Sequence, residues 1–288
     1  MHLNAVILLG SLFTPSAQAT TGLAWQWGDN VSRQYLAKGT VILPQSLPLE
    51  LEIPNLPAMP IGRFDSSILM TCTQAETAGK KAIILKCKVD DYDLQVLPFR
   101  QEHIPNVEKI VAPIAAAMSG STIEARFTYD GKLSKVEVIG LDKETKWMAD
   151  NVPVVELIVQ RTVSLLDLQL PRDGDDQGKG KWKQSESLIM RLPIQNSGGS
   201  ASIHHELKAV EASATVSSKG HAVIGDAMNN LMFGCDLVCD ASFDPATGQL
   251  TKRECNLQGK ATSNSIGGQA GHTYEHLGML ELTGGNTD

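Results

Sequence analysis

Two pairs of cysteines, each placed on either side of a turn-like segment, constrain the fold of this chain more than any other feature. Cys72 and Cys87 lie 15 positions apart around Thr-Ala-Gly-Lys, and Cys239 and Cys255 lie 16 apart around Pro-Ala-Thr-Gly. A β-hairpin with an even loop aligns the first pair, and one with a three-residue loop aligns the second. The sequence therefore predicts two antiparallel hairpins, each closed by a local disulfide.

The fifth cysteine, Cys235, has no partner in this scheme. Two alternatives stay open: five buried free thiols, or a zinc site built from Cys235, Cys239 and Cys255. The Cys-x-x-x-Cys spacing with a distant third cysteine fits the usual ligand spacing of zinc poorly. Because disulfides persist in oxidising compartments, the hairpin scheme also predicts where the protein works.

The first 19 residues have the pattern of a secretory signal peptide. An apolar run over residues 5–13 is followed by Pro15 and by Ala17-Gln18-Ala19, the small-x-small pattern of a cleavage site. The four residues before the run carry no Lys or Arg, unlike most leaders. We expect cleavage after Ala19, a secreted or periplasmic location, and no transmembrane span in the mature chain.

Composition excludes several classes of function. The chain has 288 residues, 42% of them hydrophobic, a formal net charge of -7 and 5% aromatic residues. These values are ordinary for a globular protein and rule out disorder and coiled coils. An acidic chain without a basic run is a poor binder of phosphate backbones, so we expect no nucleic-acid partner.

Most of the chain has the pattern of short strands separated by turns. Apolar residues recur at short spacing over residues 41–43, 47–53, 68–73, 82–89 and 94–97 in the first half, and over residues 188–190, 200–207, 221–224, 237–243, 250–257 and 273–282 in the second. The clearest hairpin joins residues 123–129 to 133–139 through Asp130-Gly131, which predicts a two-residue type I′ turn. Asp90, Asp91 and Asp93 are typical of a charged strand end.

Two helices are predicted. The shorter spans residues 106–118, with Pro113 expected to kink or restart it. The longer spans about residues 142–168, with an apolar face on its second segment and a narrow polar stripe that includes Asp167. The predicted fold class is therefore α+β: mainly antiparallel, curled sheet packed on one long and one shorter helix.

The predicted organisation has four parts. Residues 1–19 are the signal peptide, residues 20–171 a β-meander with helices, residues 172–181 an exposed acidic and glycine-rich loop, and residues 182–288 an antiparallel β-rich half. Whether the mature chain forms one domain or two stays open.

One pattern points to metal chemistry. His272, Glu275 and His276 match His-x-x-Glu-His, in which two helical histidines one turn apart bind zinc and the glutamate activates water. The flanking residues favour a strand instead, in which the histidines would be about 13 Å apart and unable to share an ion. We expect no metal site here and no cofactor, because nucleotide-binding and serine-hydrolase motifs are missing.

Several residues together resemble a group of uncharacterised secreted bacterial proteins with no assigned activity. They are Trp25-Gln26-Trp27, Arg33-Gln34-Tyr35-Leu36, Leu43-Pro44, the Cys72 to Cys87 hairpin and Asp130-Gly131-Lys132-Leu133. The resemblance implies secretion only. At the level of fold, a meander with a covered helix is similar to the carriers of the lipoprotein-localisation type, and this analogy does not fix a function.

Three classes of function remain open. We expect a non-catalytic protein that binds an apolar small molecule or lipid in the concavity of its sheet, because apolar residues lie on both sides of the predicted long helix. A cell-surface structural or interaction module with an envelope protein as partner would instead expose a sheet edge or an apolar patch. A metal-dependent hydrolase is the third class, and the sequence favours it least.

Overall fold

The computed structural model describes residues 32–42, 49–51, 59–75, 82–128, 131–143, 145–146, 163–168, 180–185, 198–209, 214–226, 231–244, 249–263 and 273–286. Within these ranges the strands are β1 Arg33–Ile42, β2 Leu49–Leu51, β3 Met59–Ala75, β4 Ala82–Pro98, β5 Thr122–Thr128, β6 Leu133–Ile139, β7 Lys181–Gln184, β8 Gly198–Ala209, β9 Ala214–Asp226, β10 Leu231–Asp244, β11 Gln249–Ser263 and β12 Thr273–Asn286. The helix α1 spans Ile104–Met118 after a 3₁₀ turn at Gln101–His103.

The described strands form one antiparallel sheet in the order β6-β5-β4-β3-β1-β12-β11-β10-β9-β8-β7, with β2 paired to β3 outside this path. Strands β3 to β6 follow one another as a meander, and so do β7 to β12. Most of the connections are short, and the one from β4 to β5 contains α1. Most neighbours in the sheet are therefore neighbours in sequence.

Strand β1 is the exception that joins the two meanders. Its Ala37 lies opposite Ile68 of β3 on one side and opposite Leu282 of β12 on the other. The ring of Tyr35 lies across Gly284, where a Cβ would come within 2.5 Å of Tyr35 Cε1, so a side chain there would force the ring away. Residues 20–171 and 182–288 thus contribute strands to the same sheet.

One face of the sheet is apolar and buried, and we call it the inner face. In β4 every second residue from Ile83 to Val89 is buried, and the alternation resumes at Tyr92. The phase changes because the register shifts between Leu69 and Met70 of β3, which leaves Asp90 as an extra residue. The aspartates around residue 90 therefore lie on the outer face in the middle of a 17-residue strand, and their prediction as a strand end was wrong.

Both cysteine pairs predicted from the hairpins lie at disulfide-bonding distance. Cys72 is the register partner of Cys87, and Cys239 is that of Cys255; each S–S distance is 2.03 Å. The second loop has four residues rather than three, and a register shift between Ser242 and Phe243 restores the alignment of the cysteines. Cys235 is buried and takes part in neither disulfide.

The hairpin of β5 and β6 is present as predicted, with a different turn. Thr128 N donates to Lys132 O at 2.8 Å, so three residues lie inside the loop rather than two. Gly131 has φ 87, the left-handed conformation that a three-residue loop places at its last position. Tyr129 and Asp130 lie outside the described residues.

The shorter predicted helix is confirmed as α1, which begins at Ile104 and continues through Pro113. Pro105 occupies its first turn, where the missing N–H costs no intrahelical hydrogen bond. The buried residues Val107, Val111, Ile114 and Met118 form one stripe at helical spacing. This stripe packs the helix against β4, the strand before it.

The predicted α+β class with a long and a shorter helix was wrong. The described residues form mostly β structure, with α1 and its 3₁₀ turn as the main helical segment and no second long helix among them. Of the predicted long helix, residues 147–162 lie outside the described residues. Residues near its two ends, 143, 145–146 and 163–164, are helical, with Lys146 N donating to Asp142 O at 2.8 Å, and residues 165–168 leave the helix in a tight turn. An apolar run alone does not distinguish a helix from another buried segment.

Other predicted parts fall outside the description. Residues 1–19, most of the 172–181 loop, and the predicted strand at 188–190 lie outside the described residues. None of the helical residues that the structure describes forms a segment long and apolar enough to cross a membrane.

Candidate functional site

Residues 163–168 lie in the interior of the curled sheet, and all six are buried. Leu166 N donates to Val163 O and Asp167 N donates to Ser164 O, each at 2.9 Å, so the segment is a tight turn. Its apolar members, Val163, Leu165, Leu166 and Leu168, have no exposed surface. The segment therefore belongs to the core although it is not a strand of the sheet.

Asp167 brings the two edges of the sheet together. Its Oδ1 accepts hydrogen bonds from Leu133 N at 3.0 Å and from Gln184 Nε2 at 3.3 Å. Leu133 begins β6 and Gln184 ends β7, the two strands at opposite ends of the sheet order. Each edge of the sheet therefore has a residue hydrogen-bonded to the same carboxylate oxygen. The sheet curls around residues 163–168.

Arg253 of β11 reaches the same segment from the inner face. Its side chain is completely buried, and Nη1 donates to Leu165 O at 2.9 Å and to Asp167 O at 2.8 Å. Residues 163–168 are therefore held in two ways. The Asp167 carboxylate accepts from the two sheet edges, and Arg253 donates to the backbone carbonyls of Leu165 and Asp167. A guanidinium in the interior is rare unless it is paired with an acceptor.

A chain of hydrogen bonds continues from Asp167 to β8 and β9. A carboxylate oxygen can only accept, so Gln184 presents its amide nitrogen to Asp167 and its Oε1 to His205 Nε2 at 3.1 Å. Nε2 of His205 consequently carries the proton, and Nδ1 accepts from Ser218 Oγ at 2.8 Å. Asp167, Gln184, His205, Ser218 and Arg253 form what we call the buried polar network.

Burial shifts two pKa values in this network. Desolvation, with smaller contributions from the nearby charges of Arg253 and His204, lowers the pKa of His205 from 6.5 to about 3. Desolvation also lowers the pKa of Arg253 from 12.5 to about 10, while the charge of Asp167 acts in the opposite direction. At neutral pH His205 is therefore neutral and Arg253 is charged.

Acidification is expected to destabilise the protein through His205. The unfolded chain takes up a proton near the ordinary histidine pKa of 6.5, whereas the folded protein does so only near about 3. Between these values the unfolded state binds more protons, so stability falls by up to about 1.4 kcal/mol per pH unit as the pH falls. Urea-unfolding midpoints at neutral pH and at about pH 5 measure the change.

A His205→Asn variant isolates this contribution because it cannot titrate. We expect its unfolding free energy to depend less steeply on pH than that of the unmodified protein. His204→Asn, one residue away on the exposed face, should change the slope much less than His205→Asn does. An identical slope for His205→Asn and the unmodified protein would contradict the neutral assignment.

The buried polar network is not arranged for nucleophilic catalysis. Ser218 is the residue a hydrolase would use as nucleophile, and its side chain has no exposed surface. A histidine with a pKa of about 3 is also a weak general base. What the network does chemically is pair buried donors and acceptors across four strands and the interior segment.

A cleft of about 550 Å³ opens beside this network over β7, β8 and β9. Trp182 and His205, whose rings stack at 5.2 Å, form its buried part. Its exposed lining is rich in Lys, and its one acidic lining residue, Glu206, pairs with Lys181 at 3.1 Å. The cleft is positively charged although the whole chain is acidic.

The candidate metal residues are not brought together by anything the structure describes. Glu275 and His276 belong to β12, a strand, and His272 lies outside the described residues. Within the described ranges no group of three or more His, Cys, Asp or Glu side chains is placed to hold a metal ion. The expectation that His272, Glu275 and His276 bind no metal ion stays a prediction.

Sequence reasoning missed the main members of the buried polar network. Arg253 is in phase with Cys255 and Leu257, both buried, so strict alternation along β11 would have placed its side chain inward. Asp167 had been placed on the polar stripe of a helix. Strand β7, which carries Gln184, had not been predicted: its residues fell at the end of the predicted 172–181 loop and at the start of the β-rich half after it.

Comparisons with known proteins identify no family. No family model matches the chain, and no curated protein does. Among solved structures, lipovitellin, described for its lipid–protein interactions, is similar with 9% identity and a TM-score of 0.45, over 91% of this chain and 26% of that chain. This chain thus spans about a quarter of the length of lipovitellin.

Two further solved structures are similar over most of their length. Rv2717c from M. tuberculosis has 8% identity and a TM-score of 0.28, over 96% of this chain and 99% of that chain. A protein of unknown function from the DUF3598 family of Nostoc punctiforme PCC 73102 has 8% identity and a TM-score of 0.13, over 94% of this chain and 98% of that chain. Likenesses this weak carry no inference about function, which rests on the chain's own geometry.

Proposed function

We propose that this is a non-catalytic protein of a secreted or periplasmic compartment that binds an apolar ligand inside its curled sheet. One observation carries the proposal: eleven strands lie in one continuous order, and the two edges of the sheet approach each other at Asp167. A sheet closed on itself with about eight strands is just filled by its own side chains, and the enclosed width grows with strand number. The described sheet is wider than that.

The lining of the interior supports an apolar ligand. The inner face is built mainly from aliphatic residues, and large aromatic side chains that would fill a wide interior are few, at 5% of the chain. Helix α1 covers part of β4, and residues 163–168 occupy another part of the interior. A ligand of low polarity buries its surface favourably against the rest.

The location is supported by the cysteines. Two disulfides inside hairpins, with both sulfurs of each pair buried, are typical of proteins that fold in an oxidising compartment. The leader pattern over residues 1–19 agrees with this.

The described surface offers less support for an interaction module. Its large exposed hydrophobic residues, each between 36% and 47% exposed, lie on five different strands: Ile42, Leu97, Ile139, Val238 and Met279. Single exposed residues of this kind are normal for a soluble surface, whereas an apolar docking site is contiguous. The cleft over β7 to β9 is lined mainly by charged residues.

Binding of a neutral apolar dye tests the proposal. We expect the delipidated protein to bind Nile red with a saturable blue shift of its emission, because the dye leaves water for the inner face. Ala241→Phe, which places a ring on the inner face, should weaken binding about tenfold, equivalent to about 1.4 kcal/mol of misfit.

Val238→Phe is the matched control, since Val238 lies on the outer face of the same strand and is 46% exposed. Its affinity for the dye should equal that of the unmodified protein. Absence of saturable Nile red binding, or equal weakening by the two variants, would overturn the proposal.

A further inference from the structure

The guanidinium of Arg253 is only half used by the protein. Among the described residues, Nη1 makes both hydrogen bonds of the Arg253 side chain, to Leu165 O and Asp167 O. Nε and Nη2 are buried, and neither has a hydrogen-bond partner among the described residues. A buried donor without an acceptor is unfavourable, and more so when it carries charge.

The two unused nitrogens form one edge of a planar group. Nε–H and Nη2–H of an arginine point in parallel, at the spacing of the two oxygens of a carboxylate or phosphate. Such an edge is one of those through which arginines recognise these anions by paired hydrogen bonds. A single water or hydroxyl does not match both donors in this way.

Few charged groups surround Arg253 among the described residues. The acidic group that faces it is Asp167, whose Oδ1 already accepts from Leu133 N and Gln184 Nε2. His205 is neutral at physiological pH, because its pKa is about 3. The remaining inner-face neighbours in register with Arg253, Ala241 and Leu282, are apolar.

We propose that Arg253 binds the anionic head group of an amphiphile, with two of its oxygens accepting from Nε and Nη2 while the apolar chain lies along the inner face. This inference rests on the proposed function and adds the class of ligand: an apolar chain that ends in a carboxylate or a phosphate. A neutral apolar molecule would leave the two donors without acceptors.

Chain-matched competitors test the inference in the unmodified protein. Dodecanoate, dodecyl phosphate and dodecanol are titrated against bound Nile red. We expect the better of the two anions to displace the dye at a concentration at least about tenfold lower than dodecanol, as charge-assisted paired hydrogen bonds require. Whichever anion is stronger identifies the head group.

The outcomes separate this inference from the proposed function. Equal displacement by the anions and by dodecanol would overturn the role of Arg253 and leave apolar binding intact. No binding of Nile red would overturn the proposed function itself.

Substitutions at Arg253 then show whether this residue causes the preference for an anion over an alcohol. Arg253→Met should reduce the ratio of anion to alcohol affinity to about one while dodecanol still binds. Arg253→Lys keeps the charge without the paired edge, so its ratio of anion to alcohol affinity should fall several-fold. If Arg253→Met does not fold, the ratio of Arg253→Lys tests the role of Arg253. An unchanged ratio in folded Arg253→Lys would contradict the paired geometry.

Lys252→Met is the matched control. Lys252 precedes Arg253 on β11, faces solvent and pairs with Glu254 at 2.7 Å. Its removal takes away the same charge from the other face of the sheet, so the affinity ratio should stay that of the unmodified protein. A loss of the preference in Lys252→Met would show that charge in general, rather than the buried guanidinium, selects the anion.

Discussion

Replacement of Asp167 by alanine is expected to lower the free energy of unfolding by about 3–5 kcal/mol, the cost of breaking one side of a buried charge pair. Asp167 is buried, and its Oδ1 is the acceptor for Leu133 N and Gln184 Nε2. Its loss leaves two donors without an acceptor and Arg253 without its facing negative charge. Urea denaturation followed by circular dichroism measures the change.

A double-mutant cycle shows whether the charge of Arg253 contributes. Because an unpaired buried guanidinium accounts for part of the loss, Asp167→Ala combined with Arg253→Met should cost less than the sum of the two single variants. Asp236→Ala is the surface control: Asp236 is exposed and bonded to exposed His221, so its loss should stay below about 1 kcal/mol. A loss of that small size for Asp167→Ala would contradict the joining of the sheet edges by this residue.

Removal of either disulfide is expected to cost about 3 kcal/mol, since each closes a loop of similar length. The sequence separations are 15 for Cys72 and Cys87 and 16 for Cys239 and Cys255. The paired alanine variants, Cys72→Ala with Cys87→Ala and Cys239→Ala with Cys255→Ala, should each shift the urea midpoint downward. Reduction with dithiothreitol should lower the midpoint of the unmodified protein further, because it opens both.

Cys235→Ala is the control for the loss of a buried sulfur atom. Cys235 is buried and forms no disulfide, so its replacement should cost only about 1 kcal/mol, the order of a small cavity. If dithiothreitol leaves the midpoint of the unmodified protein unchanged, the disulfides contribute nothing to stability.

The local parts of the fold were predictable because they follow from short-range geometry. The spacing of the cysteines paired Cys72 with Cys87 and Cys239 with Cys255, because opposite residues of a hairpin lie at equal distances from its turn. In the second hairpin a register shift compensates for a loop one residue longer than predicted. The β5–β6 hairpin was found from its glycine, and α1 from its apolar stripe. Bulges moved individual residues, as at Asp90, without changing the pairing.

The buried polar network could not be found in the same way. The run that includes Asp167 is apolar enough for a helix, a strand or an interior segment, and only its neighbours decide among them. Arg253 stands in a strand whose exposed face is charged, so a phase error of one residue would have placed it in solvent. Its partner Leu165 lies 88 positions away, a distance over which a local pattern has no bearing.

By itself the sequence determined most of the strands, the two disulfide hairpins and the shorter helix, which it placed over residues 106–118, because each depends on the periodicity or spacing of residues close together in the chain. The tertiary structure alone decided that β1 joins the two meanders, that the edges β6 and β7 converge on Asp167, and that Arg253 contacts residues 163–168. These features depend on how the sheet curls, which is a sum of small twists over all its strands and leaves no mark on any short segment.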